Sequence, residues 1–460
     1  MKPLTKPMFK NWILLAVAAV FIFSSCQKQV GKPTTPETMT AQANRDTHGH
    51  LQQTKTFSSE VARKWQNMQL RILRLPAGAN PFGMNGNRFF AYCGIGLYES
   101  VVPGMPAYKS LYGQLTDMPA MPSTQPGLAY HWPTCANAAL AYLNKNFFTN
   151  TPDANKISMD SLENVLNAAY QTEVEAVTFQ RSVEFGKTVA QKIFDWSKTD
   201  GALTVYPPYV DTAKEGQWSP KAPNPTVVFA ANWGKNRLFV PGSLTETSSP
   251  PPPPYSTDPG SAYYAMVKEV YDVSQSLTPE QRATALYFRD NPGFQAGTHY
   301  LSVFSEIMNI ENPQLDVYAL AHVKTGIALA DAQIGCFKIK YDLKVDRPIK
   351  YIREVLGHKD WDPLLTTPPF PDFPSGHSQT GGAFAAVFTS LLGQNYSFTL
   401  HTYDNLGMTP RPYHSFNEMA DDIGKSRVYA GIHYTYSCTE ARRQGEKIAQ
   451  NISNILKFEK

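Results

Sequence analysis

Apolar residues recur at three-to-four spacing along most of the chain from Ser58 onward, and that period predicts helices. Val61–Leu75, Ala136–Phe147 and Met159–Tyr170 each carry one apolar face, and Val174–Trp196 holds the pattern for about six turns. Thr278–Pro279–Glu280–Gln281 predicts a helix start, because proline suits the first helical position and Gln281 is placed to close a capping box. Val303–Ile310, Leu315–Phe337 and Gly382–Leu392 extend the series, and a last helix is expected from about Glu440 to Leu456. Strand-like alternation is rare. The pattern therefore predicts an all-α helical bundle.

Two stretches break the period. Residues 201–260 are rich in Pro, Gly and Asn and contain the run Pro250–Pro254. Proline removes backbone donors and fixes φ, so this segment is expected as an extended surface loop crossing between two helical halves. A proline-rich ligand for a peptide-binding module is the alternative for that run. At the N-terminus, Lys2, Lys6 and Lys10 precede an apolar run from Trp12 to Phe23 that is short for a bilayer span. Small residues and Cys26 follow it, which resembles a bacterial lipoprotein signal over residues 1–26, with an ordinary signal peptide or an uncleaved anchor as alternatives. Residues 27–57 are polar and read as a tether. The expected organisation is a single helical domain over 58–460, with its catalytic half at about 278–460. The chain would be exported, periplasmic or anchored to the outer membrane of a bacterium, touching membrane only through a lipid on Cys26.

Composition narrows the function. Lys+Arg 42 against Asp+Glu 38 is nearly balanced and forms no basic stripe, which argues against nucleic acid as a partner. Aromatic residues at 12% suit a dense core or an apolar pocket. Cys93, Cys135, Cys336 and Cys438 show no metal-ligand spacing; disulfides and buried free thiols both remain open.

The chemistry concentrates in three short segments. Lys340 and Arg347 lie seven apart, which on a continuing helix ended by Pro348 would put both cations on one face. Alone, such a pair is usually a solvated face. Pro374–Ser375–Gly376–His377 precedes a helical run, where unpaired amides and the positive dipole end attract anions. Alone, it reads as a serine-capped helix. Arg427 and His433, six apart, would meet one ligand only if the backbone bends between them, and Ala430–Gly431 offers the place. Together the segments bring three cations, a hydroxyl, a glycine amide and two imidazoles, which is a set for holding a tetrahedral oxyanion.

In order and spacing, these segments resemble the signature of the type 2 phosphatidic acid phosphatase and vanadium-dependent haloperoxidase superfamily: Lys, six residues, Arg-Pro; Pro-Ser-Gly-His; Ser-Arg, five residues, His. The long proline-rich connection, Ala330–Asp331–Ala332, Leu286–Gly293 and Phe370–Pro371–Asp372–Phe373 resemble the haloperoxidase branch. The resemblance implies vanadate as cofactor, hydrogen peroxide and a halide as substrates, iodide or bromide ahead of chloride, and phosphate as a competing anion. His433 would ligate vanadium. Lys340, Arg347, Arg427, Ser375 and the Gly376 amide would bind the vanadate oxygens. His377 would be the general acid/base and Lys340 would polarise the peroxide. Three secondary positions follow from the same resemblance: Asp290 as the carboxylate orienting Arg427, and Phe370 and Phe337 as halide-pocket walls. Where many relatives place an aspartate four residues after the last histidine, this chain has Ser437, a departure that weakens an exported phosphatase with a phosphohistidine at His433 more than it weakens a peroxidase. A catalytically silent binding module is the third reading. The remaining histidines, His299 and His401 among them, are left outside the site, and the oligomeric state stays open.

Overall fold

The computed structural model describes residues 52–460, apart from 77–78, 80, 291 and 295–296. The expectations for the signal segment, for Cys26 and for the tether up to residue 51 lie outside the described residues. The first half holds α1 (Glu60–Leu73), α2 (Asn85–Val101), α3 (Trp132–Phe147), α4 (Asp153–Tyr170) and α5 (Ala176–Ser197); α1, α3, α4 and α5 follow the apolar period read from the sequence, whereas α2, buried along nearly its whole length, is not among the expected helices. The second half holds α6 (Ala262–Gln275), α7 (Pro279–Tyr287), α8 (His299–Glu311), α9 (Leu315–Leu343), α10 (Pro348–Glu354), α11 (Gly376–Leu392), α12 (Phe416–Tyr429) and α13 (Thr435–Ile455). Two antiparallel ribbons complete it: β1 (Arg74–Leu75) with β2 (Gly293–Phe294), and β3 (Phe398–Leu400) with β4 (Arg411–Tyr413). The capping box at Thr278 forms as expected, each side chain satisfying the other's backbone N–H.

The described residues form one unit built on the central helix α9, whose residues from Gly326 to Phe337 are buried on every side. A helix with no polar face must be covered all round, and α2 and α11 supply two of its covers. Close crossing of α11 and α13 fixes the site's geometry. Gly382 lies against the Arg442 carbonyl and Gly445 against that of Gln379, so near that a Cβ at either position would collide with backbone. The segment between α5 and α6 has one 3₁₀ turn (Trp233–Lys235) and is otherwise irregular, as its prolines demand. It is pinned to α9 by the buried carboxylate of Asp331, which accepts the Phe239 and Val240 amides at 2.7 and 3.1 Å. All four described cysteines are free and buried. No helix among the described residues is long and apolar enough to cross a membrane.

One local expectation is overturned. Lys340 and Arg347 do not share a helix: α9 stops at Leu343, where Lys344 turns left-handed (φ 54°). Pro348 does not end a helix; it opens α10 at the first helical position, with Arg347 as the residue before it. Both cations still come together beside the Phe370 ring, but from two elements.

Candidate functional site

Ser375 caps α11, its Oγ accepting from the Ser378 amide at 3.4 Å and from the Ser378 hydroxyl at 3.1 Å. With its lone pairs used in this way, the Ser375 O–H remains available to donate. A Cβ added at Gly376 would meet only Cys336 Sγ, at 3.9 Å, and this first residue of a 17-residue helix lines the cavity of the site. Lys340 and Arg347 are both 0% exposed. The Lys340 ammonium donates to the Pro371 and Asp372 carbonyls at 2.9 and 2.7 Å. Arg347 donates through Nε to Phe370 O (2.8 Å) and through Nη1 to Ile432 O (2.7 Å), while its Nη2 is buried with no partner. Burial pushes Lys340 down to about 8 and Arg347 to about 10, the cost of holding cations out of water.

His433 sits in the turn between α12 and α13, which Gly431 makes possible with φ of 76°. Its Nδ1 lies 2.8 Å from Asp372 Oδ1, close but off the alignment of a full hydrogen bond, and its Nε2 lies 3.2 Å from Arg347 Nη1. Burial, then Arg347 and Lys340, hold the imidazole pKa well below its ordinary value, so the ring is neutral. Asp372, 0% exposed, ties the parts together. It accepts from the Ser437 hydroxyl, stands 3.9 Å from Arg347 Nη1, and its carboxyl is raised to about 6 by burial, against the pull of Arg347 and Lys340. A carboxylate on Nδ1 places the proton there, so Nε2 carries the lone pair, which faces Arg347 Nη1 here and is the one a ligand would take. The carboxylate missing at 437 thus comes from the loop before the serine motif, and Ser437 holds it in place.

His377 points its Nε2 at Asp290 Oδ1, 3.1 Å away. The expected pairing of Asp290 with Arg427 is not seen. Arg427 instead donates to the Phe288 and Ala285 carbonyls (2.6 and 3.4 Å) and to Ser426 Oγ (3.0 Å), because the end of α7 reaches it first. Burial acts to raise the Asp290 carboxyl, but His377 beside it outweighs this and holds it below the ordinary range. His299, excluded on the sequence, stacks on His377 at 5.5 Å, with both ring nitrogens buried and unpartnered. Burial, and then His377, lower it to about 3, so it stays neutral. Ligand atoms of Asp290, His299 and His377 lie within 4.8 Å of one another, but Arg427 beside them opposes a metal cation there. Its position at the start of α8 gave no local signal; only the packing of α8 on α11 brings it in. His401 pairs with Asp404 on the surface, away from the site.

A cavity of about 380 Å³ opens above these groups, with Gly376, His377, Arg427 and His433 on its floor. Phe337 and Phe370 line it with ring centroids 5.3 Å apart, and Lys340 and Arg347 lie 5.2 and 5.0 Å from the Phe370 ring. Lys340, Arg347 and Arg427 are buried, Arg347 Nη2 has no partner, and the serine hydroxyl and helix amides add donors. This donor set fits a tetrahedral oxyanion such as vanadate, with the neutral His433 Nε2 as its one nitrogen ligand.

Residues 321–458 match the family model of the second helical-bundle domain of vanadium chloroperoxidase. A solved structure described as the first bacterial vanadium-dependent iodoperoxidase superposes with a TM-score of 0.77 and 29% identity, covering 88% of this chain and 97% of that one. The chain has the helical-bundle fold of the vanadium haloperoxidases, and the family match falls on its second half. A holo-type bacterial vanadium-dependent chloroperoxidase follows at TM-score 0.63 and 15% identity over 87% of this chain and 97% of that one, and the apo-type at 0.62 and 14% over 83% and 98%. No curated protein sequence matches. Within this haloperoxidase fold, the anion cradle is drawn from α9, the loop before α10, the start of α11, and both sides of the α12–α13 turn.

Proposed function

We propose that the protein is a vanadate-dependent haloperoxidase that uses hydrogen peroxide to oxidise a halide, iodide or bromide ahead of chloride. The carrying observation is the neutral His433, with Nδ1 against Asp372 and Nε2 facing the guanidinium of Arg347, among buried cations. Lys340, Arg347, Arg427, Ser375 and the Gly376 amide would hold the vanadate oxygens and His433 would supply the nitrogen ligand. Bound vanadate would supply Lewis acidity toward peroxide without a change of oxidation state. His377, held by Asp290, would take a proton from peroxide and return one to the departing oxygen. Lys340 would place its positive charge beside that oxygen. Phe337 and Phe370 line the cavity and would shield a halide there from water. The preference for iodide rests on the likeness to the iodoperoxidase, about twice the identity found with the chloroperoxidases.

Hydrolysis of phosphate esters is the second reading, and one observation favours it. Ser437 does not deprive His433 of a carboxylate, because Asp372 provides one, so a phosphohistidine would be as well supported as a vanadium ligand. Export with a lipid on Cys26 belongs to the same proposal, resting on the sequence alone, and metabolic labelling with a palmitate analogue checks it. The deciding assay takes protein from residue 52 onward, reconstitutes it with orthovanadate, and measures triiodide or tribromide formation with peroxide beside hydrolysis of a phenyl phosphate. Halide oxidation that requires vanadate supports the proposal; ester hydrolysis inhibited by vanadate, with no halide oxidation, overturns it.

A further inference from the structure

Vanadate, peroxide and a halide ion together amount to eight heavy atoms, yet the cavity lined by His377 and His433 measures about 380 Å³. Cavities of this size commonly enclose organic molecules. Its walls are apolar well above the polar floor: Met84, Phe229, Phe337, Leu365 and Phe370 stand around it. Phe229 stacks toward Phe370 at 6.2 Å, which in turn meets Phe337, so the wall is a continuous aromatic surface. Neither peroxide nor a small ion gains from such a surface, whereas a ring does.

One charged group breaks the apolar wall. Arg289 lines the cavity, and no hydrogen bond or ion pair of its guanidinium is found among the described residues; its Nε is shut off from solvent and unpartnered. The adjacent carboxylate, Asp290, is turned to His377 and the Gly297 amide. An unpaired, partly buried cation beside aromatic walls is complementary to a ligand with a ring and one negative charge. We infer that this cavity binds an aryl anion, a benzoate or phenolate, with its ring against Phe229, Phe337 and Phe370 and its charge on Arg289. This inference rests on the proposed haloperoxidase activity and gives the oxidised halogen a bound acceptor. A ring carbon attacks the halogen of hypohalous acid; the carbon–halogen bond forms as the halogen–oxygen bond breaks, its electron pair leaving with oxygen, which takes up a proton as water. The ring C–H proton passes to solvent, and hydrogen peroxide is the oxidant overall, so ArH, halide, peroxide and one proton give ArX and two waters.

Binding is measured without peroxide or halide, on protein loaded with vanadate so that the oxyanion cradle is filled. Titration calorimetry with 4-hydroxybenzoate and with its neutral isostere 4-hydroxybenzamide compares wild type, Arg289→Gln and Phe229→Ala. The acid binds wild type saturably and loses tenfold or more in Arg289→Gln, about 1.4 kcal/mol. The amide is indifferent to that change, while Phe229→Ala weakens both. Equal weakening of acid and amide by Arg289→Gln, or no saturable binding of the acid, overturns the inference. Triiodide formation by wild type with no organic acceptor is followed separately, so loss of the acceptor site and failure of the haloperoxidase reading are distinguished.

Discussion

Replacing Asp372 by Asn tests whether this carboxylate supports His433 as a metal ligand. The substitution keeps the shape: Asn Oδ1 can still accept from Nδ1, and its amide can still meet the Ser437 hydroxyl. What is lost is one buried negative charge, 2.8 Å from the imidazole and 3.9 Å from Arg347 Nη1. Two effects then oppose each other. A weaker partner makes Nε2 a poorer ligand, and loss of such a partner typically costs 10–100-fold in metal affinity, about 1.4–2.8 kcal/mol. Removal of the charge also leaves the cation cradle more positive. A unit pair 4 Å apart near a protein surface is worth roughly 4 kcal/mol, so at twice that distance an oxyanion would gain roughly 2 kcal/mol. The two effects are similar in size, and the choice of anion separates them. Phosphate held by hydrogen bonds feels only the second, so its affinity for Asp372→Asn should hold or rise. Vanadate bonded to Nε2 feels both and should gain clearly less than phosphate or lose outright. Calorimetric titration of the metal-free protein with each anion, with vanadium retention after gel filtration as a check, gives the ratio. If both affinities change by the same factor, Asp372 does not act through the histidine and the reasoning fails.

His433→Ala should abolish vanadium retention, whereas His377→Ala should retain the metal and lose turnover; metal analysis beside steady-state rates checks both. Lys340, lowered to about 8 by burial, should be neutral in the empty site above that pH and protonated once an anion is bound. Tungstate, a dianion that does not titrate in this range, should therefore bind about tenfold more weakly per pH unit above about 8, and Lys340→Gln should flatten the slope. The same shift implies that the empty protein gains stability as pH rises from about 8 toward the unfolded lysine value, because only the unfolded chain binds that proton; the urea midpoint in Lys340→Gln should lose this rise. Gly445→Ala should cost about 1–3 kcal/mol, read as a lower melting temperature, because the added methyl meets the Gln379 carbonyl across the α11–α13 crossing.

What could be read from the chain was local. The serine cap of α11, the capping box of α7, the bend at Gly431 and the irregular crossover each depend on residues within a few positions of one another. The misplacement of Lys340 and Arg347 on one helix was local too, and its signal was present: proline favours the first position of a helix over its last, so Pro348 should have announced a start. What escaped was held by distance in sequence. Asp372 reaches His433 across 61 positions, and His299 reaches His377 across 78, with no motif linking either pair. Both are held by helix packing, Asp372 by the α13 serine and the loop that carries Lys340's carbonyl partners, His299 by α8 against α11. The absence of aspartate at 437 therefore argues nothing about chemistry. The quantity that matters to either a vanadium ligand or a phosphohistidine is a buried carboxylate on Nδ1, and a fold can supply it from any segment that passes within 3 Å. If the seven motif positions hold an oxyanion as proposed, whether the histidine serves as a ligand or as a nucleophile turns on Asp372 together with the positive field around Nε2, and both act through space rather than along the chain.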